Sequence, residues 1–342
     1  MKRSPGYADV IALKETTMKA FAYDRYGPPA VVHPVTLPRP VPGPGEIVIR
    51  VVATTVSAGD WRARSMIVPP GMGWMARLFF GITRPRKRIL GTEAAGVVDS
   101  VGVGVRTFAP GDRVIAYPAS AFGAHAEYVA IPADGRVVPM PEGMGWEEAA
   151  ALPFGGVTAL DFLVNKARIQ PGERVLINGA SGAVGTAAVQ IAVHLGARVT
   201  AVCSARNAAL VRELGAVEVI DYTTTDFATR GPFDVTIDCV GTAPWRHARR
   251  ALRRGGRHVA ITSGLGDMVF GPLKARLAGR RMVVGVSSEA PEVLRQTVAL
   301  ARAGHLRPVI DRVFGFDQMV AAHTHVDGGH KTGNVVVAVS HA

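Results

Sequence analysis

The sequence has few cysteines, few aromatic residues and no long apolar run. Only two of its 342 residues are cysteines, Cys203 and Cys239. Two thiols exclude a disulfide framework or a metal site built from several cysteines, and they are typical of a reducing compartment. No apolar run reaches the ~18 residues that cross a bilayer, and the N-terminus lacks an ordered signal-peptide pattern. The sequence therefore predicts a cytoplasmic protein with no membrane partner.

The charge balance also limits the function. Lys and Arg total 39 against 27 Asp and Glu, which gives a net charge of +12, and 48% of the residues are hydrophobic. This composition is that of a globular protein, and the length favours two domains. The basic residues are scattered apart from Arg84-Pro-Arg-Lys-Arg88 and three arginine pairs, whereas nucleic-acid-binding proteins show a dense basic stripe with interleaved aromatics. We therefore disfavour nucleic acid and expect a surface that attracts anionic cofactors and substrates.

A glycine-rich turn is the most informative stretch. Residues 175–177 read as a short apolar strand, and residues 186–195, after the turn, have helical spacing. The turn holds Ala180-x-Gly182-x-x-Gly185, a dinucleotide fingerprint in which Ala replaces the first glycine. Such a turn would let the backbone approach a pyrophosphate that lies at the helix N-terminus. An ordinary turn that binds no ligand is the alternative. The predicted cofactor contacts here are Ser181, Gly182, Ala183, Val184 and Gly185.

The pattern of the chain changes near residue 140. From 18 to 139, short strands broken by glycine and proline predict a small β-rich domain. From 140 to 286, alternating helices and apolar strands predict a parallel doubly wound sheet. Residues 287–342 are interpreted as a return to the first domain, and residues 1–17 as a loose extension or a start-site artefact. The predicted fold class is therefore α/β.

An irregular apolar and basic stretch, Trp61 to Leu90, lies within the β-rich part. It is too irregular for a strand and too interrupted for one long helix. One interpretation is a lid or pocket wall that carries large flexible side chains. A buried structural excursion is the second interpretation. An interfacial membrane helix is the third, and the lack of a sustained amphipathic period disfavours it.

Four motifs together make the chain similar to a known family. They are Gly91-Thr-Glu-Ala-Ala-Gly-Val-Val98, Gly111-Asp-Arg-Val114, Asn178-Gly-Ala-Ser-Gly-Ala-Val-Gly185 and Gly329-His-Lys-Thr-Gly-Asn-Val-Val336. In this order they resemble the medium-chain dehydrogenase/reductase superfamily, specifically its zinc-independent quinone oxidoreductase-like branch, and the resemblance runs from Met18 to the end. It implies a Rossmann domain inserted into a GroES-like β-rich domain, an active cleft between the two, and a possible homodimer.

The same resemblance predicts whether the protein can bind zinc. Zinc-dependent members supply an early Cys, a His before the Glu of the first glycine motif, and a four-cysteine lobe. Here Ser57-Ala-Gly-Asp60 contains no Cys, and Thr92 precedes Glu93. The expected metal site cannot form without these ligands, so we predict no metal. The histidines of His323-Thr-His325, with His330, are more typical of a solvated surface than of a metal site.

The end of the second Rossmann strand indicates which nicotinamide cofactor binds. NAD sites usually place Asp or Glu about 20 residues beyond the glycines, to bind the ribose hydroxyls. This chain has Cys203-Ser-Ala-Arg206 there, so Ser204 and Arg206 could bind a 2′-phosphate, and we predict NADPH over NADH. A surface arginine that begins a helix is the alternative. The remaining predicted cofactor contacts are Tyr222, for which a plain turn tyrosine is the alternative, Val240, Thr262, Lys331 and Asn334.

The resemblance implies a zinc-independent NADPH-dependent reductase of quinones or α,β-unsaturated carbonyl compounds, which act as small-molecule hydride acceptors. The family's early motif is similar to Asn-x-x-Asp-x-Tyr. Here Asp60 is retained, while Ser57 and Arg62 replace the Asn and Tyr. Thr158 matches a family threonine near the nicotinamide, and a helix residue with no chemical role is the alternative. The predicted catalytic residues are thus Asp60, Arg62 and Thr158. The alternatives are an alcohol or carbonyl dehydrogenase and a non-catalytic nucleotide-sensing or RNA-binding protein.

Overall fold

The computed structural model describes residues 16–339, so the prediction for residues 1–17 lies almost wholly outside the described residues. The strands are β1 Thr17–Tyr23, β2 Val32–Pro38, β3 Glu46–Thr55, β4 Ala94–Val101, β5 Arg113–Ala116, β6 Tyr128–Pro132, β7 Val137–Pro139, β8 Arg174–Asn178, β9 Arg198–Cys203, β10 Glu218–Asp221, β11 Phe233–Asp238, β12 Leu252–Ala260, β13 Arg281–Val284, β14 Ile310–Gly315 and β15 Asn334–Ala338. The α-helices are α1 Ala58–Ser65, α2 Gly73–Phe80, α3 Trp146–Ala151, α4 Pro153–Leu160, α5 Ala183–His194, α6 Ala208–Glu213, α7 Trp245–Ala251, α8 Leu265–Leu277, α9 Pro291–Arg302 and α10 Met319–Asp327.

Six strands form a parallel sheet in the order β10-β9-β8-β11-β12-β13. Counted from β8 as the first strand, this is the 3-2-1-4-5-6 order of the dinucleotide-binding doubly wound sheet. Val175, Leu176 and Ile177 of β8 are all buried, because both faces of the sheet are covered, and this explains why the strand is continuously apolar rather than alternating. The predicted α/β fold with a Rossmann sheet is confirmed.

A second sheet of seven strands forms the GroES-like part, in the order β14-β15-β3-β4-β5-β7, with β6 also paired to β3. The last strand, β15, runs antiparallel to β3, with Val336 opposite Thr55. The end of the chain therefore returns to the sheet that the first third of the chain begins. Helix α9 instead packs against α4, with further contacts to β7. The domain boundaries at residues 139 and 286 stay predictions.

Residues just beyond the Rossmann sheet tie it to the GroES-like part. After β13, the carboxylate of Glu289 accepts hydrogen bonds from Ser120 Oγ at 2.8 Å and from Arg136 Nη1 at 2.6 Å. The neighbouring Ser288 donates its backbone N–H to Asp161 at 2.8 Å. These contacts fasten the segment after β13 to the GroES-like part through Glu289 and to the Rossmann part through Ser288.

The stretch from Trp61 to Leu90 forms α1, a loop at residues 66–72, and α2. In the loop, the carbonyl oxygen of Pro70 accepts the N–H of Leu265 at 2.9 Å, so the loop reaches the first residue of α8 in the Rossmann part. This contact between the loop and the Rossmann part is consistent with the pocket-wall interpretation. The buried-excursion interpretation is wrong for α2, because Ala76 is its only buried residue. Within residues 16–339, no helix combines the length and apolarity needed to cross a membrane.

Candidate active site

The glycine-rich turn joins β8 to α5, and its glycines have different neighbours. A Cβ on Gly185 would lie 2.0 Å from the carbonyl oxygen of Gly179, so only glycine lets the helix pack on the turn. A Cβ on Gly182 would meet nothing closer than that same oxygen at 3.7 Å, so this position is open. Gly182 caps α5, whose first-turn N–H groups lack intrahelical partners. An open, glycine-lined helix N-terminus fits a pyrophosphate.

The loop after β11 lies beside this turn, where the strand order of the sheet reverses. The carboxylate of Asp238 accepts hydrogen bonds from the backbone N–H groups of Val240, Gly241 and Ala243 at 3.2, 3.0 and 2.8 Å. This holds the loop so that a Cβ on Gly179 would come within 2.5 Å of Val240. Val240, two residues beyond β11 rather than within a strand, is 47% exposed and borders the turn. Its role as a cofactor contact stays a prediction. Sequence reasoning missed Asp238, although an acid at a strand end was the available signal.

The segment after β9 carries the residues predicted to select NADPH. Ser204 is half-buried and Arg206 is exposed, with Arg206 Nη2 donating to the carbonyl oxygen of His330. Tyr222, just after β10, is 59% exposed on the same side. The end of β9, at residues 203–206, carries no carboxylate. The structure places one nearby: Asp221, at the end of β10, binds the backbone N–H groups of Thr223 and Ala205, which lower its pKa.

The loop before β15 docks on the glycine-rich turn. Gly333 donates its backbone N–H to the carbonyl oxygen of Ser181 at 2.8 Å. Lys331 Nζ donates to the carbonyl oxygen of Gly333, and burial lowers the pKa of this lysine to about 8. The side-chain amide of Asn334 donates to the carbonyl oxygen of Val309 at 3.0 Å. The structure thus brings Lys331 to the turn, while the amide of Asn334 holds the loop.

Asp60 lies in the first turn of α1 and is fully buried. Its carboxylate accepts hydrogen bonds from Ser57 N at 2.8 Å, Ser57 Oγ at 2.6 Å and Gly91 N at 2.8 Å. The bond from Ser57 N, together with the bond that Asp60 N donates to Ser57 Oγ at 3.2 Å, forms a capping box at the start of α1. The bond from Gly91 N joins α1 to the Gly91 motif. Ser57 Oγ is also 3.1 Å from Thr92 Oγ1. All these contacts orient α1, which carries Arg62.

Glu93 links the GroES-like part to α4 and was not singled out from the sequence. It is fully buried, and its carboxyl group accepts hydrogen bonds from Thr55 Oγ1 and, at 2.5 Å, from Phe154 N. Burial raises the pKa of Glu93 to about 8, so this carboxyl is protonated at neutral pH. Thr158 is buried in the same helix, one turn after Phe154. Glu93 therefore anchors the helix that carries the predicted catalytic threonine.

Arg62 crosses the cleft. Its Nη2 donates to Thr262 Oγ1 at 3.2 Å, and Thr262 lies two residues beyond β12, next to the loop that holds Val240. Burial lowers the pKa of Arg62, but arginine stays charged at neutral pH. Among the ion pairs of residues 16–339, none involves Arg62, whereas Arg64 pairs with Asp327. The cleft therefore contains a half-buried cation that has no carboxylate partner in the described chain.

The histidines weighed as metal ligands do not converge. The solvated-surface interpretation is wrong for His323, which is fully buried with its ring 5.4 Å from that of His125. His325 Nε2 lies 2.5 Å from Asp311 Oδ2, and His330 is exposed. In the described part of the chain, no three His, Cys, Asp or Glu side chains are grouped so as to hold a metal ion.

Two family models match the chain. The alcohol dehydrogenase GroES-like domain matches residues 43–142, and the zinc-binding dehydrogenase model matches residues 214–337. The chloroplastic quinone oxidoreductase of Triphysaria versicolor is 33% identical over 334 residues, which are 94% of this chain and 98% of that protein. The chain belongs to the quinone oxidoreductase-like branch of the medium-chain dehydrogenase/reductase superfamily. The resemblance drawn from the four motifs is therefore confirmed.

Other members of the superfamily extend the comparison. The mitochondrial NAD(P)H oxidoreductase of Mus musculus is 31% identical, over 95% of this chain and 90% of its own. The solved structure of a quinone oxidoreductase from Coxiella burnetii superposes with a TM-score of 0.84 at 30% identity, covering 95% of this chain and all of that one. This chain is therefore an oxidoreductase that uses a nicotinamide cofactor.

Proposed function

We propose that this quinone oxidoreductase-like enzyme uses NADPH to reduce quinones or α,β-unsaturated carbonyl compounds without a metal. The observation that carries the proposal is the contact of Arg62 with Thr262. It puts a cation that has no carboxylate partner within residues 16–339 opposite the strand ends of the Rossmann sheet, where a cofactor binds in this fold. A developing negative charge on a substrate oxygen would find its partner there.

The proposed cofactor site follows the glycine-rich turn. Backbone N–H groups of residues 181–185 would bind the pyrophosphate, and the Lys331 ammonium would add positive charge. Val240 and Thr262 would line the floor of the site, and Asn334 would hold its loop in place. Ser204 and Arg206 would bind the 2′-phosphate beside the exposed Tyr222. The bound cofactor supplies a hydride.

Arg62 would be the main catalytic residue of the chain. Hydride addition to an electron-poor carbon leaves a negative charge on the substrate oxygen, and a proton from solvent then completes the reduction. The guanidinium of Arg62 would stabilise that charge in place of the family tyrosine. Thr158 would contribute a hydroxyl near the reacting carbon. Asp60 has all its contacts inside the protein, so we propose that it positions α1 and Arg62 rather than touching substrate.

The proposed absence of a metal is supported by the residues at the family's zinc positions. Ser57 and Thr92 occupy two of them with hydroxyl groups that lie 3.1 Å apart and form hydrogen bonds within the protein. Zinc in proteins is bound by thiolate, imidazole and carboxylate groups rather than by neutral hydroxyls. An alcohol dehydrogenase that polarises a simple carbonyl through zinc is therefore disfavoured.

The test is NADPH oxidation with purified protein and a panel of benzoquinone, enones and simple ketones. We expect turnover with quinones or enones and little with ketones. Arg62→Gln should lower kcat for every accepted substrate, while Arg246→Gln, on the exposed face of α7, should not. Failure to oxidise NADPH with any member of the panel would contradict the proposal. An RNA gel shift by the same inactive protein would instead favour the non-catalytic alternative.

A homodimer and a cytoplasmic location stay predictions. Within residues 16–339, no strand pairs with the outer edge of β13. That edge would accept the same strand of a second copy, as is typical of exposed parallel-sheet edges. Light scattering during size-exclusion chromatography would give the mass directly.

A further inference from the structure

The segment between Asp60 and Glu93 contains seven basic residues and no acidic one. Five of the basic residues lie in or after α2 and are all exposed: Arg77, Arg84, Arg86, Lys87 and Arg88. Arg88 pairs with Asp24 at 2.6 Å. In the part of the chain that the structure describes, the other four form no ion pair. This surface therefore has a strong positive charge that the protein itself does not neutralise.

The same segment exposes large apolar side chains. Trp74 is 60% exposed, Leu78 52% and Phe79 58%, and Ile82, just after the helix, is 59% exposed. Trp74 and Leu78 are four residues apart and so lie on one face of α2, and that face points to solvent. Exposed apolar clusters of this kind mark interaction sites rather than ordinary surface. We call these four residues, with Arg77, Arg84, Arg86 and Lys87, the α2 surface.

We propose that the α2 surface docks on the anionic headgroups of a lipid bilayer. Tryptophan, leucine and phenylalanine side chains would enter the boundary between headgroups and acyl chains, where tryptophan is favoured. The basic residues would bind the lipid phosphates and carboxylates, each adding to the attraction. This differs from the expectation that the protein has no membrane partner. The amphipathic pattern was hidden in the sequence because α2 has only eight residues.

The charge and the apolar residues of the α2 surface disfavour two other partners, a second copy of the chain and a nucleic acid. A two-fold contact between copies of the chain through this surface would bring its basic residues against their own symmetry mates, with no acidic residue in the surface to pair with them. A nucleic acid would use the arginines but not the aliphatic Leu78 and Ile82. An anionic bilayer matches both the apolar and the basic groups.

The position of the surface suggests its use. Helix α2 follows α1, which carries Arg62, and the loop between them contacts Leu265 across the cleft. A docked bilayer would therefore lie near the substrate end of the cleft, where an apolar quinone could enter from the lipid. This last step rests on the proposed function, whereas the docking does not.

Vesicle flotation tests the docking without reference to activity. The full chain is mixed with vesicles of phosphatidylcholine alone or of phosphatidylcholine and phosphatidylserine in equal parts, at low and high salt. Leu78→Glu removes an apolar contact, and Arg86→Glu with Lys87→Glu reverses the charge. The matched controls are Val103→Glu, at a residue that is 82% exposed elsewhere, and Arg246→Glu with Arg249→Glu, on the exposed face of α7.

The wild type should float with the mixed vesicles, at least tenfold better than with phosphatidylcholine alone, and high salt should reduce this binding. Both α2 variants should lose about tenfold in binding while keeping the wild-type melting temperature, and both controls should stay within about twofold. Equal loss in the α7 control would show a diffuse charge effect and overturn the proposal. So would no flotation at all, a dimer that Leu78→Glu dissociates, or RNA binding that competes with the vesicles. Docking without quinone turnover would leave this inference standing and overturn only the proposed function.

Discussion

The backbone N–H of Gly333 donates a 2.8 Å hydrogen bond to the carbonyl oxygen of Ser181. The bond joins the last loop of the GroES-like part to the glycine-rich turn of the Rossmann sheet. Gly333 has a φ of +66°, and a Cβ there would lie 2.2 Å from the carbonyl oxygen of Val309, so glycine is required. The contact holds Lys331 beside the turn, and the account of cofactor binding depends on this arrangement.

Cofactor affinity should fall as the pH rises through about 8. Lys331 is a cation below its pKa of about 8 and neutral above it, so its attraction for the pyrophosphate is lost on the alkaline side. We expect the Kd for NADPH to rise several-fold between about pH 7 and about pH 9, a window above the ~6 pKa of the 2′-phosphate. Lys331→Arg keeps its charge and should bind with little pH dependence. Calorimetry across this range is the measurement, and an equally steep rise in Lys331→Arg would assign the effect to another group.

Two glycine substitutions separate cofactor binding from folding. Gly182→Ala has room for its methyl group, so the melting temperature should stay within a few degrees while NADPH affinity drops at least tenfold, because the methyl occupies the open side of the turn. Gly185→Ala would place its methyl 2.0 Å from a carbonyl oxygen and should destabilise the protein itself. Thermal unfolding with and without NADPH measures both effects. Unchanged NADPH affinity in a folded Gly182→Ala protein would move the cofactor site elsewhere.

Charge reversal at Arg206 should change the cofactor preference. Arg206→Glu removes a partner of the 2′-phosphate and adds repulsion, so we expect NADPH affinity to fall about 100-fold and NADH affinity to change little. Asp221 already places one carboxylate near Ala205, so a second should disfavour the phosphate strongly. Arg246→Glu, on α7, controls for net charge. Equal losses for NADPH and NADH would show that Arg206 does not select between them.

Arg62 and Asp60 should respond differently to substitution. Arg62→Gln removes one cross-cleft hydrogen bond, so its unfolding free energy should change little while kcat drops roughly 100-fold. Asp60→Asn leaves three buried donors imperfectly paired and should cost about 2–4 kcal/mol of unfolding free energy. Urea unfolding and steady-state kinetics measure the two quantities. A stable Asp60→Asn protein with the larger loss in kcat would reverse the two roles.

The local parts of this site could be predicted from the sequence, and its long-range contacts could not. The strand, glycine turn and helix at residues 175–195 follow from short-range pattern, and the structure forms them. Asp221 was missed because only the pairing of β10 with β9 brings it to Ala205. The hydrogen bond between Arg62 and Thr262 joins residues 200 positions apart, so no local period could reveal it. The interfacial-helix interpretation of Trp61 to Leu90 was disfavoured because α2 has only eight residues, too few to show a sustained period.

The most direct test of the central claim follows the hydride itself. Protein dialysed against a chelator is incubated with an enone and with NADPH deuterated at the transferring position, and the product is analysed by mass spectrometry beside a metal assay. We predict that one deuterium enters each product molecule at the electron-poor carbon, at the same rate as in untreated protein and with no stoichiometric zinc. Product without deuterium, or turnover that returns only when zinc is restored, would contradict the account.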